Sequence, residues 1–196
     1  MAKNKLTPYH KKRDFSQTNE PYGDYEGSAP SEGQFVIQKH ASRSLHYDLR
    51  LEVDGVLKSW AVPKGPSTDP GHKQLAIQTE DHPLEYASFE GIIKEGNYGA
   101  GAVIVWDRGL FSSLKKEKMS TSIRKGEVTV LLEGEKLKGA YALIRTHYQG
   151  KKSWLFIKMN DTYADTSLDI THKKPTSVIS GKTIEQIARK ATKQSS

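Results

Sequence analysis

The sequence predicts an all-β fold, a barrel or a sandwich, from three observations. About eight short segments are apolar or alternate between apolar and polar residues. Tight turns rich in Gly, Pro and Asp-Gly separate them. Helical periodicity is confined to two short stretches, residues 115–125 and 180–190.

Residues 1–33 are polar, rich in Gly, Pro, Ser and Tyr, and lack any regular period, so they read as an irregular arm. Residues 34–39 (QFVIQK) form the first strand and Leu45–Val53 the second. Asp54-Gly55 then marks a two-residue hairpin, because a type I′ turn needs positive φ at both positions. Val56–Val62 returns as the partner strand and ends at Pro63-Lys64-Gly65-Pro66. Residues 67–73 are loop, with His72 a solvated histidine. Residues 74–80 (QLAIQTE) are the next strand, with Gln74, Ala76, Gln78, Glu80 and then His82 on one face and Leu75, Ile77 and Thr79 on the other. Pro83 biases His82 toward an extended backbone.

The Gly-rich residues 90–101 read as turns and close backbone approaches. A phosphate-cradling loop would run into a helix, whereas this one runs into a strand. Residues 102–106 (AVIVW) are that strand, turned by Asp107-Arg108-Gly109. Residues 115–125 are charged and suit a short helix. Strands follow at 127–132, 139–146 and 153–159, the last two forming a hairpin across 147–152. In the C-terminal helix, Thr183 and Gln186 offer a capping box, with Ile184, Ile187 and Ala188 as an apolar face. A helix this short does not stand alone: it docks or frays. The expected organisation is an arm at 1–33 that completes a site, a barrel at 34–161, and a polar linker with a short helix at 162–196.

With no Cys, disulfides, thiolate metal sites and a Cys nucleophile are excluded. No apolar run is long enough to span a bilayer, and the N-terminus has no hydrophobic signal segment. A soluble cytoplasmic monomer is expected. The formal charge of +7 favours an anionic partner, nucleic acid foremost.

Residues 38–52 (QKHASRSLHYDLRLE) concentrate the chemistry. On a strand, His46, Asp48 and Arg50 point one way and Leu45, Tyr47, Leu49, Leu51 and Val53 the other. The second set is a core face. In the first, two nitrogens (with His40 upstream) and a carboxylate suit a divalent ion, and the guanidinium beside them suits a phosphate. A polar face open to water is the alternative, but such faces more often carry Lys, Glu and Thr.

These letters, with SWAVPKGPS, TEDHPLEYASFEGIIKEGNYGAGAVIVWDRG and ALIRTHYQGKKSWLFIKMND in the same order, resemble the 3′-phosphoesterase domain of bacterial DNA ligase D and its free-standing relatives. RDFSQTNEP resembles that family's N-terminal motif, and SVISGKTIEQIARK the junction that leads into the ligase in fused proteins. The resemblance implies a closed or nearly closed antiparallel β-barrel with short peripheral helices and a groove on one side. It implies healing of broken DNA 3′ ends on a primer-template. A manganese-dependent phosphodiesterase step trims a 3′-terminal ribonucleoside, and a phosphomonoesterase step then leaves a 3′-hydroxyl.

By the same resemblance, His40, His46 and Asp48 are metal ligands, for Mn2+ or alternatively Co2+ or Zn2+. Arg50 and His82 contact phosphate. Arg13, Asp14, Glu20, Gln38, Glu80 and Tyr86 support the site. The chain departs from the pattern at Gln74, where the family often carries a basic residue. This weakens the expected hold on substrate phosphate. A separate ligase and polymerase are the expected partners, since no such module is expected in this chain. His82 is the candidate general acid. Ser42 and Ser44 lack a base, so water is the expected nucleophile.

Two rival readings come from other classes. A non-haem iron oxygenase would use His46, Asp48 and His82 as its triad. A non-catalytic nucleic-acid-binding barrel would use aromatics such as Tyr47, Trp60 and Tyr86 as stacking platforms.

Overall fold

The computed structural model describes residues 5–23, 32–148 and 153–194. Among them are the strands β1 (Glu32–Ala41), β2 (Leu45–Val53), β3 (Val56–Val62), β4 (Gln74–Gln78), β5 (Gly91–Ile93), β6 (Gly101–Ser113), β7 (Glu127–Gly134), β8 (Lys138–Arg145) and β9 (Ser153–Lys158). All pairings are antiparallel, in the order β1-β2-β3-β4-β9-β8-β7-β6. Pairing of β1 with β6 closes eight of them into a barrel, while β5 lies outside the ring on the edge of β6. Helices are short: α1 (Thr7–Lys11) in the arm, α2 (Met119–Lys125), α3 (Ile170–Lys173) and α4 (Ile184–Gln194), with a 3-10 turn at Leu84–Ser88. None is long and apolar enough to cross a membrane.

Alternation fills the interior. Phe35 and Ile37 of β1, Tyr47, Leu49 and Leu51 of β2 and Trp60 and Val62 of β3 pack with Trp106, Val130, Tyr141, Leu143, Trp154 and Phe156 from the far wall. Trp60 and Trp154 meet edge to face, ring centroids 5.7 Å apart. Tyr47 and Trp60 therefore belong to the core and are not available as stacking platforms for nucleic acid. Asp54-Gly55 makes the expected hairpin, with Asp54 at φ 52° and Gly55 at φ 78°. That turn sets Val53 opposite Val56, and with it Arg50 opposite Ser59.

Several sequence expectations are corrected. The first strand begins at Glu32, inside the expected arm, and Leu45, expected on the core face, is half exposed at the start of β2 where the wall opens into the turn. β6 does not turn at Asp107-Arg108-Gly109 but runs on to Ser113. Ile37 faces Asp107 and Gln38 faces Val105, so Trp106 is the extra residue of a bulge that carries the strand onward. Asp107 is buried and accepts the backbone N–H groups of Lys136 and Leu137 (2.9 and 2.8 Å), so it braces the β7–β8 turn. Gly109 is needed there, since a Cβ would lie 2.1 Å from the Glu133 carbonyl oxygen. β4 stops at Gln78, and the expected single face of Gln74, Ala76, Gln78, Glu80 and His82 breaks there. Ala76 is in the barrel core, and Gln78 accepts the Trp154 indole N–H at 3.2 Å. Beyond it the pairing with β3 is irregular, Thr79 N–H donating to Ser59 O (2.9 Å) and the next bridge joining His82 to Leu57, so that Thr79, Glu80 and His82 all reach the outer cavity. β5 and the 3-10 turn, each of only a few residues, were not foreseen.

The stretch expected as polar linker is tied to the barrel. The Trp106 indole donates to Lys174 O (2.7 Å), and Val178 N–H to Val105 O (2.9 Å), filling the edge of β6 between β5 and β7. The capping box forms: Thr183 N–H donates to Gln186 Oε1 (2.9 Å), and Gln186 N–H to Thr183 Oγ1 (3.4 Å). α4 docks, with Ile184 buried against Ala102 and Ile104. The residues linking β8 to β9 at 149–152, and arm residues 24–31, lie outside the described residues.

Candidate metal and phosphate site

The outer face of β1–β3 carries the polar half of the alternation. The β1–β2 register places His40 directly opposite His46 and Gln38 opposite Asp48. β3 sets Ser59 opposite Arg50 and Ala61 opposite Asp48. Directly opposed side chains on a sheet are in contact range, so one short antiparallel patch gathers two imidazoles, a carboxylate and a guanidinium. The arm and residues 79–100 cover the patch and leave a cavity of about 530 Å³ lined by His40, His46, Asp48, Arg50, Glu80 and His82 among others.

Donor atoms of His40, His46 and Asp48 all lie within 4.8 Å of one another. Each imidazole has one nitrogen anchored on a backbone carbonyl, which can only accept. His40 Nε2–H donates to Gly99 O (2.7 Å), and His46 Nδ1–H to Ser44 O (2.8 Å). Their other nitrogens face Asp48 Oδ2, each at 3.6 Å. Neutral imidazoles so held bring two lone pairs and a carboxylate oxygen together, too far apart for hydrogen bonds and with no proton between them. A proton on an imidazole, which Asp48 favours at His46, or a divalent cation satisfies such a set, and two nitrogens plus one oxygen suit a first-row ion. Burial raises the Asp48 carboxyl, but the Arg50 guanidinium and the two imidazoles outweigh it and hold it well below 3.8. Burial lowers His46, and Asp48 more than offsets this to leave it raised.

Arg50 is buried and locked. Its Nε donates to Gln38 Oε1 (2.7 Å) and Nη1 to Ser59 Oγ (2.9 Å), Nη2 lies 3.3 Å from Asp48 Oδ2, and the plane sits over Tyr86. Gln38 in turn donates to Tyr86 O and Phe89 O (3.0 and 2.8 Å). Gln38 is thus a positioning residue, absent from the cavity wall.

His82 is fixed by a bridge to Leu57, with backbone hydrogen bonds of 2.8 and 3.0 Å. Its Nδ1–H donates to Glu80 O (2.9 Å), and its Nε2 lies 3.4 Å from Arg13 Nη2, which only donates. Burial, then the Arg50 and Arg13 guanidiniums, push the imidazole well below 6.5. As placed, His82 is neutral and presents a lone pair, so it must take up a proton before it can act as an acid. It stands outside the His40–His46–Asp48 group, so the oxygenase triad of His46, Asp48 and His82 is not assembled among the described residues.

The arm brings Arg13 and Glu20 over the cavity. Arg13 Nε donates to Glu20 Oε1 (2.8 Å), its Nη1 to Glu80 Oε1 (3.3 Å), and its plane lies over Tyr9. Glu20 also accepts the Tyr86 hydroxyl (2.9 Å) and that of Thr18 (2.9 Å). Lys12 pairs with Glu80 at 2.9 Å. Lys12, Arg13 and Arg50 thus balance Asp48, Glu20 and Glu80. With Arg43 also on the cavity wall, the lining carries a positive surplus, which a divalent ion would increase.

One expected site residue, Asp14, and the position of departure from the family pattern, Gln74, are elsewhere. Asp14 is exposed in its environment, its carboxylate accepting the Ser16 N–H and hydroxyl (3.0 and 2.7 Å), and it shapes the arm's turn. Gln74 lines a separate cavity with Lys64, Ser67, Asp69 and His72, at the far end of β4. Conversely, Ser59, Lys12 and the carbonyls of Ser44 and Gly99 were missed. Ser59 was legible through the hairpin register. The others come from sequence-distant loops with no local signal.

The sequence profile of the DNA Ligase D 3′-phosphoesterase domain matches residues 38–145. A multifunctional non-homologous end joining protein LigD from Pseudomonas aeruginosa is 49% identical over 184 residues, 91% of this chain and 22% of the relative. The corresponding DNA repair protein of Mycobacterium tuberculosis is 50% identical over 143 residues, 73% of this chain and 18% of the relative. That of Mycolicibacterium smegmatis is 45% identical over 161 residues, 80% of this chain and 21% of the relative. The chain spans about a fifth of these relatives' length. The profile covers more than half of the sequence, and its matched region holds His40, His46, Asp48, Arg50 and His82, so the chain belongs to the DNA ligase D 3′-phosphoesterase domain family, whose activity is hydrolysis of phosphate esters.

Proposed function

We propose that the protein heals DNA 3′ ends. It removes a 3′-terminal ribonucleoside as a phosphodiesterase and then the remaining 3′-phosphate as a monoesterase, leaving a hydroxyl for a separate ligase. The observation that carries this reading is the pair of carbonyl-anchored imidazoles turned on Asp48, beside a buried, locked Arg50.

His40, His46 and Asp48 hold the metal, for which manganese is the proposed ion, and when bound it supplies Lewis-acid polarisation of the phosphoryl group. Arg50, already oriented by Gln38 and Ser59, donates to the phosphoryl oxygens as charge builds on them, without reorganisation. Arg13 crosses from the arm to the same space, held there by Glu20 and Glu80. An incoming phosphate opposes the field of the two guanidiniums and raises the proton affinity of His82. Water adds to phosphorus as the ester P–O bond breaks, and His82 donates its Nε2 proton to a phosphoryl oxygen or to the departing sugar oxygen, which leaves as a hydroxyl while the attacking water's proton passes to solvent. Glu80 O keeps the Nδ1 proton in place, so the exchanging proton is the one on Nε2. Tyr86 carries Glu20 and the face of Arg50 and shuts the floor against water. Asp14 acts through the arm's turn. Gln74 lies away from this space, so its lack of charge bears on a more distant part of the strand.

The test uses a 5′-labelled primer-template whose primer ends in one ribonucleotide or in a 3′-phosphate, incubated with manganese or with EDTA. Manganese-dependent shortening to a 3′-phosphate and then to a 3′-hydroxyl is expected. No change with any divalent metal would overturn the assignment and leave a binding module.

A further inference from the structure

The cavity mouth carries two groups that the chemistry above does not use. Tyr98 lies on the loop between β5 and β6 and lines the cavity one residue from Gly99, whose carbonyl holds His40. It remains 52% exposed. Lys12 sits 4.5 Å from its ring centroid and donates to its hydroxyl at 3.3 Å, and the Arg13 guanidinium lies 5.8 Å from the centroid, yet no aromatic side chain packs on it among the described residues. The contrast is Tyr22, equally exposed at 52%, whose ring is spent in stacking on His10 at 4.4 Å. Arg43 lies in the turn between His40 and His46. It too lines the cavity, is exposed, and makes no ion pair or hydrogen bond among the described residues. Every other guanidinium at this cavity is fixed by carboxylates or carbonyls.

An open ring and an uncommitted guanidinium flank one phosphate-ester site. A nucleotide presents the complementary pair, a flat base and an anionic diester. We propose that Tyr98 and Arg43 form a subsite for the last nucleotide of the strand being healed. The base stacks on Tyr98, and the preceding phosphodiester meets Arg43. This rests on the phosphoesterase reading and adds to it the recognition of the terminal nucleotide by its base. Stacking tolerates any base because all have a π-face, so the subsite selects for the presence of a base and not for sequence. The arm's Lys12 buttresses the ring at the rim.

The experiment measures binding by the full chain in EDTA, by fluorescence anisotropy. The probes are 5′-labelled single-stranded oligonucleotides ending in a 3′-phosphorylated nucleotide or in a 3′-phosphorylated abasic residue. Wild type is expected to bind the base-bearing end about 5- to 150-fold more tightly. Tyr98→Ala should bring that ratio close to one, and Tyr98→Phe should keep it. Arg43→Gln should reduce the slope of log affinity against log salt by about 0.7, one single-strand phosphate contact. The subsite is overturned by an unchanged ratio in Tyr98→Ala, by an equal loss in Tyr98→Phe, by an unchanged slope in Arg43→Gln, or by no binding of either probe. Turnover of the base-bearing probe with manganese is assayed separately. If discrimination holds without turnover, the phosphoesterase reading fails and the subsite stands.

Discussion

The two faces of β1–β3 make one wall of the barrel, yet they are held together in opposite ways. Inside, Leu49, Leu51 and Trp60 are buried by packing against the far wall, an interaction without direction. Outside, Asp48, Arg50 and His82 are nearly as buried, but each is held by named donors and acceptors. An interior truncation leaves a cavity whose cost depends on local collapse. A truncation on the outer face leaves a partner charge buried alone. Interior changes should therefore act on stability alone, and outer-face changes on chemistry as well as on stability.

The largest expected effect tests that division directly. Asp48→Ala should reduce hydrolysis of a 3′-phosphate to background and abolish manganese binding by calorimetry, with the circular dichroism spectrum retained. Near-normal turnover would falsify the metal assignment. Deletion of residues 1–20 removes Arg13 and Glu20, and with them Leu6 and Tyr9 of the apolar cluster on Val56, Leu57 and Tyr86, but leaves the barrel interior in place; it should lower kcat/KM by about a hundred-fold through lost positioning. Activity close to wild type after that deletion would show that the arm does not complete the site. Trp60→Ala is the interior counterpart: about 3–5 kcal/mol lost in urea unfolding, with KM for the DNA end unchanged where the protein is folded. A changed KM with little loss of stability would erase the distinction between the faces.

A smaller effect comes from His82. Its folded pKa lies below 6.5, so as pH falls the unfolded chain takes up the proton first. Its contribution to stability is present above about pH 6.5 and is lost as pH falls toward the folded value, at up to about 1.4 kcal/mol per pH unit. Urea melts in EDTA should therefore weaken more steeply below that pH for wild type than for His82→Asn, and parallel curves would contradict a neutral buried His82. The smallest effect lies far from the site. Thr183→Ala removes one half of the α4 capping box and should cost about 1 kcal/mol, read as faster amide exchange in α4 alone.

Much of this comparison was readable in residues 45–53, because strand alternation is a local property. The two-residue period separated Tyr47, Leu49 and Leu51 from His46, Asp48 and Arg50 before any fold was known. Asp54-Gly55 carried the register of the next strand, since its turn type leaves only one pairing. The same reasoning failed at residues 79–82. There the pairing with β3 becomes irregular after Gln78, and a period of two no longer governs direction. It failed again at Asp107, whose carboxylate is drawn to the N–H groups of a turn 29 and 30 residues away.

The sequence by itself determined the all-β class, the hairpin, the polar composition of the outer strand face and the family to which its motifs belong. These depend on interactions over a few residues, or on motif order. Tertiary structure alone decided the tautomer of His40, through a carbonyl as distant in sequence as that of Gly99. It also decided the sharing of Arg13 between Glu20 and Glu80, the docking of α4, and the placement of Gln74 on a different cavity. The physical reason is closure of the ring. Once β1 pairs with β6, loops distant in sequence meet over one face, and the partners of each buried charge follow from that geometry and not from its neighbours in the chain.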